Sequence, residues 1–145
     1  MPSAIHRHSA PAGQPIDAVW ARLQEAGTWA GIGPVEEVWD PVHEGGRLRS
    51  YRWRTTVGPT RYDGTATVVR SEPPHRMELS LDGGEVTGTL TTELSTNGDR
   101  HTTITVSLKI VSRGMLSSMF FPVVSDAVRR GLPEQVDRFA RSLES

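Results

Sequence analysis

Arg47-Leu48-Arg49-Ser50-Tyr51-Arg52-Trp53-Arg54-Thr55-Thr56-Val57 is the stretch whose reading decides the fold class. Its period is two. Arg49, Tyr51, Trp53, Thr55 and Val57 fall on one face, and Leu48, Ser50, Arg52, Arg54 and Thr56 on the other. Rings on one side and charge on the other describe a strand covered on one face and wet on the opposite one. The alternation continues downstream. Tyr62, Gly64, Ala66 and Val68 share a face within Arg61–Arg70, and Met77, Leu79 and Leu81 alternate with Glu78, Ser80 and Asp82. Val86, Gly88, Leu90, Thr92 and Leu94 form the next inward set, followed by Ile104, Val106, Leu108 and Ile110. Between these runs stand Gly45-Gly46, Gly58-Pro59, Pro73-Pro74, Asp82-Gly83-Gly84 and Asn97-Gly98-Asp99, each with turn chemistry of its own. Short connections between successive strands predict an antiparallel meander. Gly64 and Gly88 on inward faces predict that it curves strongly.

Upstream, Ala4–Ser9 reads as a short strand. Pro15 suits the first helical position and Asp17 the first turn. Ile16, Val19, Trp20 and Leu23 then recur at helical spacing until Gly27 stops the helix. Thr28-Trp29-Ala30-Gly31-Ile32 is long enough for one further short turn before Gly33-Pro34. Downstream of Ser112-Arg113-Gly114 the period is helical again: Leu116, Phe120, Val124, Val128, Leu132, Val136, Phe139 and Leu143 step by threes and fours. This predicts one long amphipathic helix facing the sheet. Pro122 and Pro133 predict a kink at each, or a division into two helices.

Composition bounds the function classes. A chain of 145 residues is sized for a single domain, residues 1–145, and needs no disulfide or metal to fold. With no cysteine, thiolate catalysis and Cys-based metal sites are excluded. The 16 Lys+Arg nearly cancel the 17 Asp+Glu, so no global charge draws the chain to nucleic acid or to an anionic membrane. The longest apolar run, Met119–Val124, contains a proline and spans no bilayer. Met1–His8 lacks an apolar export segment, so the expected compartment is the cytoplasm. Lys109 is the only lysine, and the Arg, Thr and Ala bias is that of a GC-rich bacterial coding sequence.

The order is a strand, two short helices, a run of antiparallel strands and a long C-terminal helix. Several stretches sit in that order: Ala10-Pro11-Ala12 leading to Ala18-Val19-Trp20, then Thr28-Trp29, Gly45-Gly46-Arg47-Leu48-Arg49, Glu72-Pro73-Pro74-His75-Arg76, and Asn97-Gly98-Asp99 before Thr102-Thr103-Ile104. Together they resemble the START-related, polyketide cyclase and birch-pollen-allergen-like superfamily (SRPBCC) over almost the whole chain. Ala30-Gly31-Ile32-Gly33-Pro34 departs from it, since many relatives carry a second bulky aromatic after the tryptophan. The resemblance implies an α+β helix-grip fold. A curved antiparallel sheet of six to seven strands wraps a long C-terminal helix, with an apolar cavity between them. It implies a hydrophobic small-molecule ligand (lipid, sterol, polyketide or aromatic metabolite), with cyclases, aromatases and hydrolases among the relatives. Fold alone does not choose among these.

The candidate ligand-binding residues follow from the inward faces. On the sheet they are Arg49, Tyr51, Trp53, Tyr62, Met77, Leu79, Leu81, Val86 and Leu90; on the final helix they are Met115, Met119 and Phe120. The same residues could equally be ordinary filled core. The small positions Gly64, Ala66 and Gly88 favour a cavity because they leave space. Arg49 is the polar member. An unpaired buried guanidinium is costly, so inside the fold it needs a ligand carboxylate, enolate or phenolate; near the strand end it could instead pair with Glu44.

Other polar groups read more blandly. His6 and His8 alternate onto one face but make no metal site without a third ligand. His43, His75 and His101 lie in or beside turns, where exposure is the default. No triad pattern, H-E-x-x-H or nucleophile elbow occurs, so no metal, no cofactor and no catalytic residue is assigned. Glu36, Glu37 and Asp40 around Trp39 read as a solvated strand edge. Arg52 and Arg54 alternate away from Tyr51 and Trp53, against the interleaving that a nucleic-acid surface needs.

The expected function is binding of a hydrophobic small molecule between the sheet and the C-terminal helix, oriented by groups such as Tyr51, Arg49 or Tyr62. The helix and the Gly58-Pro59 and Gly83-Gly84 turns are the expected entrance. The alternatives are a cyclase or dehydratase using Arg49 or a pocket-edge histidine, and a protein-interaction module with an apolar surface patch. Monomer and homodimer both remain open.

Overall fold

A computed structural model describes the backbone of all residues except 1–2, 33–34, 58–59, 99, 114 and 144–145; the side chains of residues 31, 57, 60, 115–118 and 120 also lie outside the description. Seven strands are present: β1 (Ser3–Ala12), β2 (Glu37–Glu44), β3 (Arg47–Val57), β4 (Thr60–Glu72), β5 (Arg76–Asp82), β6 (Val86–Thr96) and β7 (Thr102–Ser112). Helix α1 (Ile16–Leu23) and a 3₁₀ turn (Ala26–Gly31) follow β1, and α2 (Met115–Ser142) ends the chain. The strands form one antiparallel sheet in the order β1-β7-β6-β5-β4-β3-β2. The antiparallel meander expected from the alternation is observed, and so is the curved sheet with a long C-terminal helix that the resemblance implies.

Details differ, each for a local reason. Pro15 caps α1 from an extended conformation, and its carbonyl accepts from Ala18 N and Val19 N at 3.0 and 3.2 Å. The first helical residue is therefore Ile16. α2 is a single helix with Pro122 and Pro133 inside it, not two. Its buried stripe, Phe121, Val124, Val128, Leu132, Val136 and Phe139, is long enough to hold both prolines in one amphipathic element. Gly45 and Gly46 both take positive φ, 59° and 79°, which lets two residues turn β2 back into β3.

The 3₁₀ turn and α1 are fastened side chain to backbone. Trp29 Nε1 donates to the Leu23 carbonyl at 3.0 Å and Thr28 Oγ1 to that of Arg22 at 2.6 Å, satisfying the last acceptors of α1. Gln24, buried just after the helix, accepts from Leu48 N through Oε1 at 3.1 Å. α2 is seated mainly on β1, where Ala10 and Ala12 are buried and His6 and His8 reach across to it.

Candidate functional site

A void of about 50 Å³ lies between the sheet and α2. Its walls are Trp53 and Thr55 of β3, Tyr62 of β4, Leu81 of β5, Val86, Thr87 and Gly88 of β6, Leu108 and Ile110 of β7, and Val124 and Val128 of α2, with Val35 completing it. The alternation that makes each strand half-buried also turns the strand side chains other than Thr87 toward the helix. The void is lined by carbon, and Tyr62 is the one ionisable side chain among its described wall residues.

No family model matches the chain, and no curated protein matches it in sequence. Solved structures do match in shape. The aromatase/cyclase from Streptomyces sp. R1128 superposes with a TM-score of 0.78 at 16% identity, over 98% of this chain and 94% of its own. A START superfamily protein from Mycobacterium smegmatis gives 0.63 at 11% identity, over 91% and 98% of the two chains. This is the helix-grip fold. A point mutant of norcoclaurine synthase from Thalictrum flavum shares it, with a TM-score of 0.58 at 13% identity over 89% and 93%. At these identities the likeness speaks for the fold alone.

Within the helix-grip frame the twelve sequence-selected residues divide. Trp53, Tyr62, Leu81 and Val86 stand on the wall of the void. Tyr51, Met77, Leu79 and Leu90 are buried in the filled part of the core, beyond that wall. Arg49 is not inside. Its side chain is 53% exposed and its Nε lies 3.6 Å from Glu44 Oε2. The cause is a β-bulge: Val42 pairs with Ser50 but His43 with Leu48, so Arg49 is the extra residue and the alternation changes phase across it. Leu48, assigned to the wet face by strict alternation, is buried for the same reason. Met119 is also outside, 70% exposed on α2, because the buried stripe runs through Phe121 and Val124. Met115 and Phe120 fall among the side chains not described, as does the Gly58-Pro59 turn.

The small inward glycines do not leave the space expected of them. A Cβ on Gly64 would stand 2.4 Å from Trp53 Cζ2 and 2.3 Å from the Asp82 carbonyl oxygen. The indole and the backbone occupy that room. At Gly88 a Cβ would meet the Lys109 carbonyl oxygen at 2.7 Å. Both glycines mark close approaches, and only Gly88 also borders the void.

The remaining polar groups are engaged elsewhere. His6 Nε2 lies 3.0 Å from Ser125 Oγ, and His8 Nε2 2.8 Å from Asp137 Oδ1, so the shared face expected of them is the one that holds α2. His43 is not simply solvated: its Nε2 meets the Gln24 carbonyl at 2.9 Å. Neither it nor His75 lines the void. Among the described residues no group of three or more His, Asp or Glu side chains is placed to hold a metal. On the outer face Arg54 Nε donates to Asp63 Oδ1 at 2.8 Å and its Nη1 to Glu37 at 3.3 Å. That hydrogen bond, above all, raises the guanidinium's pKa and lowers the carboxyl's. The guanidinium groups of Arg52 and Arg54 also stack on Trp39, 5.7 and 5.2 Å from its centroid. Among the described residues, no helix is long and apolar enough to cross a membrane.

Absent from the sequence-selected residues but on the wall are Val35, Thr87, the inward strand positions Thr55, Gly88, Leu108 and Ile110, and the helix pair Val124 and Val128. The helix pair was legible as the core stripe of α2; which part of a stripe borders a void depends on how high the helix rides over the sheet.

Proposed function

We propose that this helix-grip domain binds an apolar small molecule between its sheet and α2. The observation that supports this most directly is the carbon-lined void at that interface. It lies where the domain's sheet and long helix face one another, and it is bounded by side chains from five strands' worth of curvature and one helix face. Ligand pockets ordinarily measure about 300–1,000 Å³, so a ligand must widen this one. The wall best suited to yield is α2, which is seated chiefly along β1 and reaches the void through Val124 and Val128. A lipid, sterol, polyketide or aromatic metabolite would gain roughly 25 cal/mol for each Å² of apolar surface buried there.

Resemblance in shape to an aromatase/cyclase favours a second reading, a cyclase-type enzyme acting in the same space. Binding is preferred because the described wall carries no carboxylate, imidazole or guanidinium: Arg49, His43 and His75, the candidates for acid–base chemistry, all lie away from it. The test is a thermal-shift screen against fatty acids, sterols, flavonoids and aromatic polyketides. A ligand at 100 times its dissociation constant stabilises by about 2.7 kcal/mol, several degrees in Tm for a domain of this size. A screen in which every compound stays soluble and none moves the Tm overturns the reading.

A further inference from the structure

Trp53 is 6% exposed, yet its indole Nε1–H meets no acceptor. Buried tryptophans ordinarily find a partner for this donor, and Trp29 in the same chain does so. Among the described residues three other buried polar atoms also lack a partner, on Arg76, Thr92 and Gln135, but none of those residues borders the void. Trp53 does. Its ring is also held where no side chain could accompany it. A Cβ on Gly64 would stand 2.4 Å from Cζ2, and one on Gly83 2.9 Å from Cη2. An idle donor thus belongs to a flat side chain in a glycine-flanked slot beside the cavity.

We propose that Trp53 reads the ligand, donating its indole N–H to a neutral carbonyl oxygen on an otherwise apolar fused-ring compound. The inference rests on the reading that the sheet and α2 enclose an apolar ligand, and it adds that ligand's chemical class. The acceptor is neutral because no described cation stands on the wall, so a carboxylate would enter without a counter-charge. The ligand is ring-shaped because of the space it must take. A dry apolar cavity of about 150 Å³ admits a single benzene ring, and the one present holds about 50 Å³, so a fused ring must also take up neighbouring volume. The neighbouring volume suited to a planar group is the slot in which the indole itself lies. When a ring enters, the indole turns, and its N–H gains the acceptor that the empty protein denies it.

The experiment compares two probes with one fused-ring skeleton, 1-tetralone and tetralin, which differ by the carbonyl. Isotope-labelled protein is titrated with each, following the methyl signals of Val124 and Val128 and the indole N–H signals of the four tryptophans. The Trp53 signal is the one that disappears in W53F. A pocket without a donor prefers tetralin, because the ketone gives up its hydrogen bonds to water on binding. The expected result is the opposite order: 1-tetralone binds tighter by about threefold or more and moves the Trp53 N–H signal downfield, as a newly hydrogen-bonded donor does, tetralin perturbs that signal without the downfield shift, and in W53F the order reverses. Tighter binding of tetralin to the native protein overturns the inference, as does a preference for the ketone that survives in W53F. Should W53F fail to fold, the indole signal of the native protein decides: it shifts downfield with the ketone and not with tetralin, or the inference fails. Tetralin binding without preference for the ketone removes only this inference. Silence of the methyl signals with both probes removes the underlying reading as well.

Discussion

A methyl group at position 64 has nowhere to go. Gly64→Ala would press on the Trp53 ring and on the Asp82 carbonyl at once, and the second contact is backbone that cannot rotate away. Overpacking of this kind costs about 1–3 kcal/mol, and the expected loss is at the upper end of that range, read as a lower urea midpoint. Combining it with W53F relieves the ring contact alone, so the double variant recovers only part of the loss. Full recovery would mean that the backbone contact is not rigid. Tyr51 gives a second residue-scale prediction. Burial pushes its phenol pKa above the ordinary value near 10. The unfolded phenol therefore ionises from about pH 10 while the folded one stays protonated, and stability falls as pH rises from there. The slope is up to about 1.4 kcal/mol per pH unit. Tyr51→Phe removes that slope in urea unfolding at pH 9, 10 and 11; an unchanged slope shows that another group carries it. Arg49→Met makes the contrasting case. A half-exposed guanidinium facing Glu44 at 3.6 Å contributes little, so the variant stays within about 0.5 kcal/mol of the parent and keeps its thermal-shift responses.

At the scale of elements, the strands were legible because a period of two survives any neighbour, and their turns because Gly, Pro and Asn carry turn chemistry locally. What the sequence does not carry is the bulge. Arg49 on β3 and Val69 on β4 are each the extra residue opposite one partner, and each points outward where strict alternation is interrupted. The insertion belongs to the pairing of two strands and has no signature in either one. That is why Leu48 and Arg49 exchanged faces between expectation and structure, and with them the only charged candidate for the site. Gln24 is the side chain that holds the bulge in place. It is buried after α1 and accepts the Leu48 N–H that lies beside the irregular pairing. Gln24→Leu keeps the bulk and removes the acceptor, leaving a buried donor unpaired at a cost of about 1–3 kcal/mol. The measurement is urea unfolding with the m value unchanged. A loss under about 0.5 kcal/mol would mean that the bulge closes without Gln24.

The molecule as a whole is closed by its ends. β1 pairs with β7 from Ser3 opposite Val111 to Ala12 opposite Thr102, and its inner face is also the main seat of α2. The first strand thus supports both the edge of the sheet and the helix that covers the void. On that helix Ser125 and Asp137 meet His6 and His8, while Val124 and Val128, on the turns beside Ser125, face the void. Contacts so distant in sequence must form before the apolar stripe of α2 has anything to bury against, and such topologies fold slowly, in about milliseconds to seconds. Deleting residues 3–12 therefore removes more than an edge strand. α2 loses its seat, and the wall of the void contributed by Val124 and Val128 goes with it. The truncated chain is expected to lose the near-ultraviolet circular dichroism of its tryptophans and the sharp urea transition, and to give no thermal-shift response to any ligand of the full chain. If it keeps a cooperative transition within a few degrees of the parent Tm, α2 is held by the inner faces of the other strands, and the site is built without β1.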